Sequence, residues 1–198
     1  MEKKEIRKRI AFLVSSLAPD EKKSASEKIC SRIISMDEYK NADIVLSYMA
    51  TEDEADPIAV SKDALSEGKK LCLPRTKKTG RIMEFHLMSN DLPLEKQLEN
   101  GRWGIKEPCE DLPVLEKNML SGKKIFWIVP GVSFSESGRR LGHGMGFYDI
   151  YAERFMDACK REYASVYLLG ICFSCQIDEC VDAVSDAHDI IMDSLIYQ

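Results

Sequence analysis

The chain is expected to fold as a single three-layer α/β/α domain spanning residues 1–198, with a mostly parallel central sheet. Three features predict this. Short, mainly apolar runs at 44–48, 70–74, 124–130 and 167–173 have the length and character of strands buried on both faces. Stretches with apolar residues three and four apart lie between them, so helices alternate with strands, the order that builds a parallel sheet covered on both sides. At 198 residues the chain suits one compact core.

The elements follow in order. Residues 3–17 put Ile6, Ile10, Leu13, Val14 and Leu17 on one helical face, with Lys and Arg opposite. Lys3 and Arg7 stand one turn apart; they form a solvated face or reach one anion together. A second helix, 20–36, carries Ala25, Ile29 and Ile33. The strand at 44–48 leads into an acidic loop, 49–56, in which Asp56 is expected to cap a helix with Pro57 at its first position. Glu54 has no such structural duty. That helix runs 57–68 and stops at Gly68, followed by the strand 70–74 and then Arg75. Residues 81–88 alternate like an antiparallel strand after a turn at 77–80, making His86 a sheet residue. Residues 101–108 read as a loop, with Trp103 as a core plug or as the wall of an aromatic pocket. After strand 124–130 comes a glycine-rich stretch. Phe147, Tyr148, Tyr151, Phe155 and Cys159 then recur at helical spacing, before strand 167–173 and a strand-like end at 190–197.

Composition narrows the function. The apolar fraction of 44% is that of a globular protein, and no apolar run is long enough to span a bilayer. The charged start of the chain lacks a secretory apolar segment, so a cytoplasmic protein without a membrane partner is expected. The net charge of −5 argues against a general nucleic-acid binder. Seven scattered cysteines are expected to be reduced, and the Cys172-x-x-Cys175 pair has no second knuckle to complete a zinc site.

The chemistry concentrates in Gly138-Arg139-Arg140-Leu141-Gly142-His143-Gly144-Met145-Gly146-Phe147-Tyr148-Asp149. Strand, glycine loop and helix in succession let backbone N–H groups cradle a phosphate at a helix N-terminus. Arg139 and Arg140 add charge-assisted contacts, and Asp149 is placed to hold a metal against that phosphate. The spacing is neither a dinucleotide fingerprint nor a Walker loop. Residue chemistry alone leaves open a phosphoryl-transfer enzyme, a silent nucleotide-binding module and an enzyme of sugar phosphates. If the fold is as expected, the glycine loop, the Glu54 loop and Arg75 all follow strands and share the carboxyl edge of the sheet, where ligands bind.

That dozen residues, with Pro130-Gly131-Val132-Ser133-Phe134 before it, resembles the signature of the 5-formyltetrahydrofolate cyclo-ligase family. The resemblance extends from Lys3 to Asp189. It implies ATP- and magnesium-dependent closure of 5-formyltetrahydrofolate to 5,10-methenyltetrahydrofolate, by a monomer, on mono- or polyglutamylated substrate. It also implies residue roles. Lys3, Arg7, Arg139, Arg140, Leu141, Gly142, His143, Gly144, Met145, Gly146, Phe147 and Tyr148 would bind ATP, with Arg140 and Tyr148 catalytic. Met49, Glu54, Trp103, His143, Gly144, Met145, Gly146 and Phe147 would meet the folate. Asp149 and Asp189, the latter after His188, would hold Mg2+. The sequence departs from the family pattern at Phe147, where Tyr is usual, and at Met145, where a small residue is usual. His143 occupies a position where charge varies and some members carry Arg.

Overall fold

The computed structural model describes residues 2–77, 79–186 and 189–198. In chain order the elements are α1 (Lys3–Ser15), α2 (Pro19–Ser35), α3 (Asp37–Lys40), β1 (Ile44–Leu46), α4 (Ile58–Ser66), β2 (Lys70–Thr76), β3 (Met83–Leu87), β4 (Leu98–Asn100), β5 (Lys106–Pro108), β6 (Lys124–Val129), β7 (Ser133–Phe134), β8 (Arg140–Leu141), α5 (Phe147–Arg161), β9 (Ser165–Cys172), α6 (Cys180–Val184) and β10 (Ser194–Tyr197). Six strands form the main sheet in the order β10-β9-β6-β1-β2-β3. Five are parallel, and β3 runs antiparallel on the edge against β2.

Strand alternation divides the core between the two faces. Val45, Leu71, Phe126, Ile128 and Leu169 point to one side, where Ile6, Ile10 and Val14 of α1, Ile29 and Ile33 of α2 and Val60 and Ala64 of α4 cover them. Ile44, Leu46, Trp127 and Val129 point to the other, beneath Ala152, Phe155 and Cys159 of α5. Strands buried on both faces are why these runs are apolar without alternation. The three layers are those expected.

Local differences have local causes. The fourth helix begins at Ile58, with Pro57 as its N-cap rather than its first residue; Asp56 still accepts the Ile58 N–H at 2.9 Å. Arg75 lies inside β2 and donates to Glu99 at 2.7 Å and to the Pro108 carbonyl at 2.6 Å, so it ties β2 to the following segment and does not face a ligand. Residues 98–108 are not a plain loop. β4 and β5 pair antiparallel around a tight turn at Arg102–Gly104. The glycine-rich dozen is likewise split, since Arg140–Leu141 pairs with Ser133–Phe134 as a hairpin before the remaining glycines begin. Lys78 of the 77–80 turn and His188 lie outside the described residues.

Candidate active site

A cavity of about 730 Å³ opens at the carboxyl ends of β1, β2 and β6. Toward the β10 side its wall is charged. Lys3 and Arg7 reach it from one face of α1, and the Arg7 Nε donates to the Gly142 carbonyl at 2.7 Å. Lys3 Nζ lies 2.5 Å from Asp186 and 3.9 Å from Asp189. A helix thus delivers two cations, one turn apart, to the glycine loop.

Arg140 is the most constrained charge here, only 7% exposed. Its Nη2 donates to Asp149 Oδ1 at 2.6 Å and its Nη1 to the Pro130 carbonyl at 3.2 Å, while its Nε has no partner among the described residues. The guanidinium carbon lies 5.8 Å from the Tyr148 ring centre. Gly142 makes room for it, because a Cβ there would come 2.7 Å from Nη1. Gly144 has a φ of +96° and Gly146, the N-cap of α5, a φ of +71°; L side chains resist both conformations. The loop can therefore lie close to a ligand at the positive end of α5.

Glu54, from the loop after β1, sits beside the glycine loop with a side chain only 9% exposed. Thr51 donates to its Oε2 from both N–H and Oγ1 at 3.0 Å, and His143 Nε2 lies 3.3 Å from its Oε1. Burial alone would push its carboxyl up; the contacts with His143 and Thr51 outweigh that and hold it below its ordinary value. The Tyr148 phenol is pushed well up, first by burial and then by the charge of Glu54, with Arg140 opposing, so it is a neutral hydroxyl at physiological pH.

Toward the β3 side the cavity is lined by Pro74, Met83, Trp103 and Ile105, with Thr76, Lys106 and Glu107 among them. Trp103 has a φ of 56°, is 57% exposed and meets Phe147 edge to face at 6.0 Å. A cavity with clustered cations at one side, carboxylates beside them and aromatic surface at the other suits an elongated ligand pairing phosphates with a flat heterocycle.

The family model for 5-formyltetrahydrofolate cyclo-ligases matches residues 1–198. The chain belongs to this family. The mouse (Mus musculus) 5-formyltetrahydrofolate cyclo-ligase is 24% identical over 196 residues, covering 99% of this chain and 93% of its own length. The Aquifex aeolicus 5,10-methenyltetrahydrofolate synthetase, solved by NMR, superposes with a TM-score of 0.75 at 30% identity, covering 100% of this chain and 90% of that one. The Mycoplasma pneumoniae 5,10-methenyltetrahydrofolate synthetase has the same fold, with a TM-score of 0.70 at 18% identity over 99% of this chain and 98% of that one.

Within this cyclo-ligase fold, Lys3, Arg7, Met49, Glu54, Trp103, Arg140, Leu141, Gly142, His143, Gly144, Met145, Gly146, Phe147, Tyr148, Asp149 and Asp189 all line the one cavity. Arg139 does not. Just before β8 it turns away from Arg140, and its Nε lies 4.0 Å from Asp182 of α6, which also accepts from Ser135 and Ser137 at 2.6 Å. Trp103 is wall and not core. Tyr48, Thr51, Thr76 and Glu107 also line the cavity and were not singled out in the sequence. Thr51 had a usable signal, three residues before Glu54 in an acidic loop. Glu107 had none, because only the β4–β5 pairing brings it to the site.

Proposed function

We propose that the chain, acting over its whole length as one domain, converts 5-formyltetrahydrofolate to 5,10-methenyltetrahydrofolate with ATP, releasing ADP and phosphate. The observation that carries this reading is the convergence of Lys3, Arg7, Arg140 and the glycine loop on one cavity that also carries the aromatic and apolar surface of Trp103, Ile105, Met83 and Pro74. A formamide oxygen is a poor leaving group. Moving the γ-phosphoryl group from ATP to that oxygen, with ADP departing, gives an activated imidate. N10 then attacks the formyl carbon, the C–O bond breaks, phosphate leaves and the N10 proton is released. The step calls for positioning and charge neutralisation more than for an enzyme nucleophile.

The chain's residues divide that work. The glycine amides, Lys3, Arg7 and Arg140 hold phosphate oxygens. Arg140 is held by Asp149 and Pro130, so its charge is placed before the ligand arrives. Tyr148 supplies a neutral hydroxyl beside it. Glu54, Met49, Trp103 and Phe147 face the folate, and Trp103 with Phe147 offers the flat surface a pteridine or aminobenzoyl ring needs.

Magnesium fits this donor set. Asp149 and Asp189 line the same cavity as the phosphate-binding cations, and both present hard oxygen ligands. Among the described residues no three His, Cys, Asp or Glu side chains converge into a cage. Magnesium is commonly held by one or two carboxylates, with phosphates and water completing the shell. When bound, the ion would neutralise phosphate charge during transfer. The reading extends to a cytoplasmic monomer. Its seven cysteines are all free thiols, the state a reducing compartment keeps. No helix among the described residues is long and apolar enough to cross a membrane.

The test is the absorbance change of purified protein with 5-formyltetrahydrofolate, with ATP and magnesium each omitted in turn. Product formation that requires both is expected. Product without ATP, or none with the complete mixture, would overturn the reading.

A further inference from the structure

We propose that Glu107 is a second folate-binding carboxylate, one that accepts the paired N–H donors of the pteridine's aminopyrimidinone edge. The proposal rests on the cyclo-ligase reading of this cavity and adds to it a recognition residue at the side opposite the phosphate cations. Glu107 lines the cavity from β5 and is only 6% exposed. Its Oε1 accepts two hydrogen bonds from Thr76, from the backbone N–H at 3.2 Å and from Oγ1 at 2.7 Å. Among the described residues Oε2 has no hydrogen-bond donor, and no cation pairs with the carboxylate. The nearby cations are engaged elsewhere, Arg75 with Glu99 and Glu110 and Lys106 with Asn100. Oε2 is not among the buried polar atoms that lack a partner, so it opens to the cavity and can accept a donor from a ligand.

The chain also leaves room for this side chain. Gly101 has ordinary extended backbone, with φ −90° and ψ −157°, so its conformation does not call for glycine. A Cβ at that position, however, would come 2.4 Å from the Glu107 carboxyl group. The missing side chain keeps Glu107 where it is.

Chemistry identifies the donor. The same cavity is lined by Pro74, Met83, Trp103 and Ile105, which offer surface for a flat ring, and Lys106 beside Glu107 is already bonded to Asn100. A 2-amino-4-oxopteridine presents two adjacent donors, its 2-amino group and N3–H, which match a carboxylate that still has open lone pairs. Adenine would present one amino donor beside an acceptor nitrogen, and that acceptor would face the carboxylate's negative charge. Glu54 does not replace Glu107 in this role. Both Glu54 oxygens are engaged, and its contact with His143 places it by the glycine loop, nearer the reacting end. The aminopyrimidinone edge is the end of the pteridine farthest from N10, in keeping with a partner on the far side of the cavity.

The experiment is calorimetric binding of 5-formyltetrahydrofolate, of its 2-desamino analogue and of ATP to the parent, Glu107→Gln and Gly101→Ala proteins. Hydrogen bonds to a charged group of this kind correspond to roughly tenfold to hundredfold in affinity. Glu107→Gln should weaken 5-formyltetrahydrofolate by that factor, leave ATP unchanged and no longer distinguish the substrate from its desamino analogue. Gly101→Ala should weaken the folate in the parent background, but have no effect once Glu107→Ala has vacated the space. The Gly101 pair keeps the test decisive if Glu107→Gln folds poorly. Weakened ATP binding with folate unchanged would assign this side to adenine, and unchanged affinities for both would make Glu107 structural; either overturns the proposal. A parent that binds ATP but not 5-formyltetrahydrofolate would instead overturn the functional reading on which it rests.

Discussion

Replacing Asp149 with Asn keeps the shape of the side chain and removes its charge, and the structure predicts effects of opposite sign in two assays. Arg140 is 7% exposed and its Nη2 lies 2.6 Å from Asp149 Oδ1. At an effective dielectric constant of about 20, charges about 4 Å apart attract by roughly 4 kcal/mol. The Asp149 side chain is 31% exposed, so solvent reduces that figure, and about 1–3 kcal/mol of lost stability is expected. For a chain of this size that is a melting-point fall of about 2–4 °C per kcal/mol. Without metal, the same change should tighten ATP binding, because a carboxylate that repels phosphate is gone while the Pro130 carbonyl still holds Arg140. With magnesium, turnover should fall on the order of 10²–10³, as when one preorganised electrostatic contact is lost. Part of that loss should be recovered at high magnesium. Calorimetry in chelator and steady-state kinetics over a magnesium series read the two arms. Full turnover by Asp149→Asn at limiting magnesium, or metal-free ATP affinity no better than that of the parent, would refute the assignment.

Glu54→Gln should raise the folate KM by roughly tenfold for each 1.4 kcal/mol lost while leaving the ATP KM near the parental value; a rise in the ATP KM alone would contradict this. Gly144→Val should abolish calorimetric ATP binding in a folded protein, since φ is +96° there and a Cβ would lie 3.3 Å from the Arg7 guanidinium. Glu54 is held below its ordinary value of 4.5, so the stability it contributes is complete above that pH and is lost as pH falls through the lower folded value. His143→Gln removes a contact that does the lowering, so in melting-point series between pH 3 and 6 the acid-dependent loss should be smaller and end at higher pH than in the parent. Superimposable curves would separate His143 from Glu54.

Much of the fold was legible because burial on both faces leaves a plain mark. The runs at 44–48 and 124–130 could be read as strands without any knowledge of their neighbours, and the helical face of Ile6, Ile10 and Val14 could be read in the same way. The phosphate side of the site was legible for a related reason: its residues are close in sequence, so spacing carries geometry. Arg139 shows the limit. Adjacent arginines look equivalent as a string, but Arg140 opens β8 and turns inward to Asp149, while Arg139 just before the strand turns outward toward Asp182. Nothing in the residues themselves announced a two-residue strand. The β4–β5 hairpin was missed because its strands are short, polar and outside the main sheet, so neither length nor apolar pattern marked them.

The glycines carry the same lesson into the chemistry. Gly144 is required by its backbone, whose positive φ lets the loop lie against a ligand. Gly142 and Gly101 have no positive φ, and what they share is a neighbouring charged side chain filling the space a Cβ would take, Arg140 in one case and Glu107 in the other. These two groups, 7% and 6% exposed, could not stay buried in place if the facing residue were alanine. The string of letters makes all three positions look alike and invites a single explanation by loop flexibility. The structure divides them into one glycine that shapes the chain and two that make room for charge. Binding polarity follows from the second kind, because a buried guanidinium and a buried carboxylate line one cavity, and the carboxylate keeps an oxygen free to accept from a ligand.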